Sequence, residues 1–318
     1  MSFCPLNIKT CYSFLESGLS IPTIISCAKK YNFQILGISD HSNLFAFPTF
    51  VKECEKNKIK PILGTYYEIE NYYIHYIIKN DDGYFSLLAI NELFRKNQLT
   101  IEEAKKHSKG LIAVLPLVEN NIKYDDYFKN NKNRFFHELL DCSKLGEDFY
   151  IGYDCPDTSY LISDKEKEKE SIIKMLVDRT YKIILFPLLN LEEKKHKPLI
   201  NILEHIKDQT SEQDYNKFNY SEKTSFEEIK EIENYFSNNE LNMLSNFDQI
   251  IQSINFNFFK KKGKMLSISE DKNSKDILRQ KATEGLEKKI GNFPPRYQER
   301  LNYELDVISS LNFVIVIT

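Results

Sequence analysis

The run LGISDHSNLFAFPTFVKECEKNKIKPILG, residues 36–64, changes its hydrophobic period twice. ILGI (35–38) is a short apolar run suited to a buried strand, and the polar pair Asp40 and His41 follows it. Pro48 opens a segment through Asn57 with apolar residues at helical spacing, and proline is compatible with a helix's first turn. Ile62 and Leu63 then resume a strand-like run. Strand, helix and strand in so short a span predict βα units, and repeated βα units predict a parallel sheet or barrel.

The same alternation extends outward on both sides. Residues 4–8 read as a strand and IPTIISCAKKY (21–31) as an amphipathic helix with Pro22 in its first turn. YYIHYII (72–78) and LIAVL (111–115) read as strands, with a helix over 83–93 between them. In the middle, NNKNR (130–134) reads as a loop and 150–153 as a strand. KEKEKE opens an amphipathic helix over 165–178, its charges a solvated face. KIILFPLL (182–189) reads as one buried strand, 198–206 as a helix and 207–224 as a polar loop. Helices are expected over 226–236 and 239–254. A boundary falls at KKKGK (260–264), and two helices follow over 274–290 and 294–311, joined by GNFPP, whose glycine and prolines stop one and start the next. No internal repeat of fixed period is present.

Composition narrows the function classes. The chain has 318 residues, 42% of them hydrophobic, enough for one large domain or one domain and part of another. A formal net charge of -3 supplies no global positive field for nucleic acid, so DNA contact would need a local patch. KKKGK with Lys288, Lys289, Arg296 and Arg300 is the candidate, against the plainer reading of a solvated linker and helix face. The six cysteines form no C-x-x-C pair, which argues against a disulfide framework or a zinc knuckle. The start, MSFCPLNIKT, has no basic region followed by an apolar stretch, and no run is long and apolar enough to span a membrane; a reduced cytoplasmic setting is the expectation. No P-loop, G-x-S-x-G or G-x-G-x-x-G occurs.

Three segments carry a family resemblance in order. LNIKTCYSFLESG (6–18) resembles H-L-H-x-H-[ST]-x-Y-S-L-L-[DN]. The run 36–64 resembles [IL]-[AT]-D-H-G-N-[ML]-[FY]-G-x-x-x-F-x-x-A-x-x-x-x-I-x-P-I-x-G. ATEGLEKKIGNFPPRYQERLNYELDVISSLNF (282–313) is similar to EGL…RY…RL.YEL.VI..M.F. Weaker likeness joins them at IIKNDDGYFSLL (77–88) and over 226–247. Together they resemble the N-terminal part of bacterial DNA polymerase III alpha subunits, the C-family replicative polymerases, in their shorter Gram-positive-type form: a PHP domain followed by the start of the palm.

The resemblance implies an α/β fold, a PHP-type distorted seven-stranded (β/α) barrel of parallel strands, then a helical start of the polymerase palm. It implies domains at 1–260 and 261–318. Active PHP domains hold metal ions at the C-terminal ends of their strands, where oxygen and nitrogen ligands neutralise a phosphate and generate hydroxide. Here the opening H-x-H positions read Asn7 and Lys9, or Pro5 and Asn7 in a register shifted by two. A protonated lysine cannot ligate and would repel a metal. Asp40 and His41 match the family's D-H. The next positions read Tyr66, Tyr73, Leu117, Leu188 and Asn190, with His75 two residues beyond Tyr73 on the same strand face. Asp40, His41 and His75 are thus the residual metal candidates. The plainer alternative is that Asp40 caps a loop and His41 is a satisfied polar residue. Lys9 is expected to take a vacated metal's place by pairing with Asp40. His107, His137, His196 and His205 read as scattered surface residues.

The expected function is the PHP segment of a replicative DNA-directed DNA polymerase, a nucleotidyltransferase acting in DNA replication, with its PHP site structural and this chain inactive alone. The family's P-D-x-D-x-D segment is not in this sequence, and the match fails after Phe313. No cofactor is expected for the chain itself; magnesium belongs to the intact polymerase, and zinc or manganese could occupy a residual PHP site. Implied partners are the remainder of the polymerase, the sliding clamp and clamp loader, and DNA through downstream domains. Two alternatives stand beside it: a metal-dependent PHP phosphoesterase or 3′–5′ exonuclease, and a stand-alone module binding a replication partner. In a whole polymerase the apolar positions Ile277, Leu278, Leu286, Ile290, Leu301, Leu305, Ile308 and Leu311 would pack on the rest of the palm; in this chain they are expected to lack partners.

Overall fold

In the computed structural model the described residues are 3–70, 72–117, 132–154, 164–208, 224–237, 243–259 and 274–310. The chain divides into two compact units, Met1–Phe258 and Phe259–Thr318.

The first unit is α/β. Its main sheet runs β1 (Ile35–His41), β2 (Lys60–Ile69), β3 (Tyr72–Ile78), β4 (Leu111–Pro116), β5 (Asp148–Tyr153), β6 (Ile183–Leu185), in that spatial order. β1 and β2 are parallel and joined by helix α2 (Phe47–Lys56), as the run 36–64 predicts. β4, β5 and β6 are also parallel. β3 is not: it runs antiparallel to both β2 and β4, which corrects the all-parallel expectation. The cause is local. β2 ends at Ile69 and β3 starts at Tyr72, and Glu70 takes φ +56, so the connection is a hairpin turn too short for a parallel crossover.

The apolar run 182–189 also departs from expectation. It breaks into β6 and β7 (Leu189–Leu191), with Pro187 between them. Proline has no N–H for a ladder, and the next donor, Leu188 N, turns aside to Asp154 Oδ1 at 3.1 Å. β7 pairs in parallel with the short β8 (Thr224–Ser225). The expected opening strand at 4–8 is an extended segment that joins the edge of the main sheet at β1 to the β7–β8 pair, curling the strands toward a ring. Ile8 bridges Ile38 of β1 on one side and Leu189 of β7 on the other. Gly37 N donates to Pro5 O (2.8 Å) and Ser39 N to Ile8 O (2.8 Å); Lys9 N donates to Leu189 O (2.9 Å) and Leu189 N to Asn7 O (2.9 Å).

Helices surround this ring. α1 (Ile21–Lys30) is capped by Ser20, whose hydroxyl accepts from Thr23 N, and Pro22 sits in its first turn. α3 (Asp81–Arg95) is capped by Asn80, with Asp81 and Asp82 favourably placed at the positive helix end. It starts where Gly83 meets Gly110, whose φ is +67; a Cβ on Gly83 would lie 1.9 Å from the Gly110 carbonyl oxygen. α4 (Ile101–Lys106), α5 (Lys132–Cys142), α6 (Asp164–Asp178), α7 (Lys197–Asp208), α8 (Phe226–Ser237) and α9 (Met243–Ser253) follow. The expected loop at 130–134 is corrected at its end, because residues 132–134 belong to α5; residues 130 and 131 lie outside the described residues. So do 209–223 of the expected loop 207–224, 239–242 of the expected helix 239–254, and KKKGK at 260–264. The core joins Ile8, Leu36, Ile38, Phe50, Tyr76, Val114, Ile151, Ile184, Phe226 and Phe247, all buried.

The second unit contains α10 (Ser274–Ile290) and α11 (Pro295–Ser310). Leu278 and Leu305 are buried against each other's helices, flanked by Ala282, Leu301 and Ile308. Arg279 bonds Asn302 Oδ1 (2.9 Å) and Asp306 Oδ1 (3.2 Å). The expectation that these apolar positions lack partners is therefore corrected for this seam, while Ile290 stays exposed; Leu311 lies outside the described residues.

Ile8 is fully buried and belongs to both edges of the closure. Ile8→Ala should destabilise the first unit by about 2–5 kcal/mol, read as a lower urea midpoint. A loss below about 0.5 kcal/mol, the scale of surface substitutions, would show that the closure contributes little.

Candidate functional site

The site is built at the C-terminal end of β1 and the opening strand, where Lys9 and Asp40 leave the ring together. In a strand, successive side chains alternate between faces. Asp40 pairs in register with Thr65, whereas Ser39 and His41 pair with Gly64 and Tyr66 on the other face, and Tyr66 in turn faces His75. The adjacent residues Asp40 and His41 therefore serve different surroundings.

Asp40 is buried, and both oxygens of its carboxylate accept from protein donors. Oδ1 accepts from Thr10 N and Ser13 Oγ, and Oδ2 from Thr10 Oγ1, each at 2.7 Å. Burial raises its pKa, and the hydrogen bonds from Ser13 and Thr10 oppose that rise. Ser13 Oγ also accepts from His41 N at 3.1 Å, so Asp40 pins the loop after the opening strand to the end of β1.

The other face carries a row of rings. His41 stacks on Tyr66 (4.6 Å between centroids), Tyr66 stacks on His75 (5.0 Å), and Phe186 meets His75 edge-on (5.0 Å). Into this row the loop inserts Glu16. Its Oε1 lies 2.8 Å from His41 Nδ1; its Oε2 lies 2.7 Å from Lys9 Nζ and 2.5 Å from Tyr66 OH. Lys9 Nζ is also 3.0 Å from Tyr66 OH and 4.3 Å from the centre of its ring. The partner of the Lys9 ammonium is Glu16, which corrects the expected pairing with Asp40. Burial acts to raise the pKa of Glu16, but the hydrogen bond from His41, the Lys9 charge and the hydrogen bonds from Lys9 and Tyr66 outweigh it and hold the carboxyl far below its usual 4.5. An ionised carboxylate only accepts, so His41 Nδ1 carries the proton it shares. Burial, then the Glu16 charge, pushes the Tyr66 phenol strongly up, so it stays a neutral donor.

The expected candidates are thus dispersed. His41 and His75 meet on the Tyr66 ring; Asp40 faces away with Thr10 and Ser13. His75 is buried and its Nδ1 lies 2.7 Å from Ser39 Oγ. Among the described residues no three of His, Cys, Asp and Glu converge as a metal-ligating group. Asn7 and Asn190 are buried with their amide oxygens unpartnered, and Asn190 Nδ2 donates to the Glu16 carbonyl at 3.1 Å. Leu117 is buried and Tyr73 lies 6.3 Å from Tyr66 between ring centres. His107, His137 and His196 lie apart from the site, on or beside helices. Lys288, Lys289, Arg296 and Arg300 are exposed on the second unit's helices. Glu16 was invisible to motif reading. The signal for it was Lys9 itself: an ammonium at a barrel mouth needs a counter-charge, and Glu16 is the nearest acidic residue along the chain.

The geometry defines an α/β fold with a polar mouth at its strand ends, and a family comparison agrees with it: the family described as "PHP domain" matches residues 5–152. The chain as a whole is similar to DNA polymerase III subunit alpha. It is 23% identical over 316 residues to that of Streptococcus pyogenes serotype M3, covering 98% of this chain and 27% of the relative. It is 25% identical to those of Aquifex aeolicus and Rickettsia prowazekii, again over 98% of this chain and over 30% and 28% of theirs. The chain thus spans less than a third of the length of these relatives. Among the described residues no helix is long and apolar enough to cross a membrane.

The buried imidazole generates a pH dependence. Burial first, then the charges of Lys9 and His41, push the pKa of His75 well below the usual 6.5, with Glu16 opposing. Above pH 6.5 both states hold His75 neutral. Below it the unfolded chain takes up a proton that the folded chain refuses, so stability falls with falling pH, by up to about 1.4 kcal/mol per unit for this group. Urea melts at about pH 7.5 and 5.5 should show this loss, and His75→Phe should reduce it. An identical loss in the variant would mean that His75 is protonated when folded.

Proposed function

We propose that this chain is the N-terminal PHP segment of a replicative DNA polymerase III alpha subunit, acting in DNA replication, in which the PHP site is structural and does not hydrolyse. The replication role is supported by similarity along nearly the whole chain to alpha subunits. The structural reading rests on the Lys9–Glu16 ion pair at the barrel mouth.

A metal site of the family's kind does not fit the donors present. A divalent cation needs several anionic or neutral ligands directed at one point. Here an ammonium stands among the former ligand positions, both Asp40 oxygens already accept from Thr10 and Ser13, and His75 Nδ1 is engaged by Ser39. The charge a metal would supply is present as the Lys9 ammonium, covalently attached. In this reading Asp40, His41 and His75 order the mouth, the domain braces a polymerase, and nucleotidyl transfer, magnesium, the sliding clamp and the clamp loader belong to the larger protein in the cytoplasm. The division proposed is residues 1–260 for the PHP domain and 261–318 for the start of the palm.

The test is metal content with metal-dependent nucleotide release. Purified chain dialysed against manganese or zinc should retain no stoichiometric ion, and neither metal should support release of nucleotides from labelled single-stranded DNA. Stoichiometric metal together with release abolished by Asp40→Ala would replace this reading with a metal-dependent phosphoesterase or 3′–5′ exonuclease.

A further inference from the structure

We propose that Lys9, His41 and Tyr66 form a carboxylate-binding site at the barrel mouth, and that the chain occupies this site with its own Glu16. The three donors come from three neighbouring strands: the opening segment, β1 and β2. They converge on the two oxygens of one planar group, His41 on Oε1, Lys9 and Tyr66 on Oε2. The acceptor arrives separately, on the loop that follows the opening strand.

That division is what makes the site separable from its occupant. His41 and Tyr66 are held by strand register and by the ring row continuing to His75, none of which uses the Glu16 side chain. The loop is fixed on either side of Glu16, at Ser13 through Asp40 and at Ser17, whose hydroxyl donates to Lys9 O at 2.7 Å. Between these anchors Leu15 takes φ +58 and Phe14 is 81% exposed, so the occupying segment itself has little packing. The mouth is open to solvent at His41, whose side chain is 32% exposed.

The donor set selects a planar two-oxygen anion. Three donors satisfy two oxygens, one of them twice, as charge-assisted pairs. Beside the site the Asn190 amide is already given to the Glu16 carbonyl, so it adds no donor for the further oxygens of a tetrahedral anion. The ligand class is therefore a carboxylate, such as formate, acetate or the side chain of an acidic peptide. In the native chain Glu16 competes at the high effective concentration of an intramolecular ligand, which keeps external carboxylates out.

The experiment removes the occupant and offers a replacement. Glu16→Ala, in the full chain, should gain thermal stability saturably with sodium formate relative to chloride at matched ionic strength. Wild type should not respond, nor should Glu16→Gln, whose amide still fills the site, nor a Glu16→Ala/Lys9→Met double variant. If Glu16→Ala is isolated unfolded, recovery of its near-ultraviolet circular dichroism in formate but not in chloride supports the site, and recovery in neither overturns it. A folded Glu16→Ala chain indifferent to formate, an equal response in wild type, or an equal response to phosphate would each overturn it. A failure of this kind leaves the metal reading untouched, because that is decided by manganese or zinc retention in the wild-type chain.

Discussion

An ammonium placed where a ring of strands opens to water must be answered by a negative charge, and the arrangement of the mouth follows from that constraint. Lys9 cannot turn away, because its backbone is bonded into β7 and its neighbour Ile8 is bridged to β1 and β7. Glu16 answers it, and to do so the loop must fold back. The fold-back is held by Asp40, which gathers Thr10 and Ser13. Removing one member of such a pair, each side chain only 12% exposed, typically costs about 3–5 kcal/mol, far more than an exposed pair. The loop and the carboxylate it carries therefore stand together, set against a ring row that strand register holds by itself.

Much of the fold was legible because period and punctuation agree. The run 36–64 gave β1, α2 and β2 in order, and YYIHYII gave β3 to the residue. GNFPP separated α10 from α11 as glycine and proline usually do. Direction was not legible. An apolar strand looks the same whichever way it runs, and only the shortness of the link between Ile69 and Tyr72 reveals that β3 reverses. The division of KIILFPLL into two strands depended on Pro187, a signal present in the sequence but outweighed by the apolar run around it.

The site was legible only in its framework. Asp40 and His41 were found by motif, but their division of labour is set by strand alternation, which sends one to Thr10 and the other to Tyr66. Glu16 and Tyr66 act through tertiary approach, Glu16 across the loop and Tyr66 across two strands, and no spacing announces that. Around them Lys9 brings a fixed positive charge, and Asn7 and Asn190 bring polarity without charge.

The double bridging of Ile8 also governs when the barrel can be completed during synthesis. Lys9 N bonds Leu189 O across about 180 residues of chain, so the opening segment must wait for β7 before both its edges are paired. During synthesis the opening segment precedes β7, so its edge toward β7 has no partner strand until residues 189–191 are made. Lys9 and Glu16 lie in that early segment, so the ion pair can form before its barrel exists and would then be desolvated only as β7 arrives. The pairing of that edge is thus a long-range event that cannot come before β7 is made.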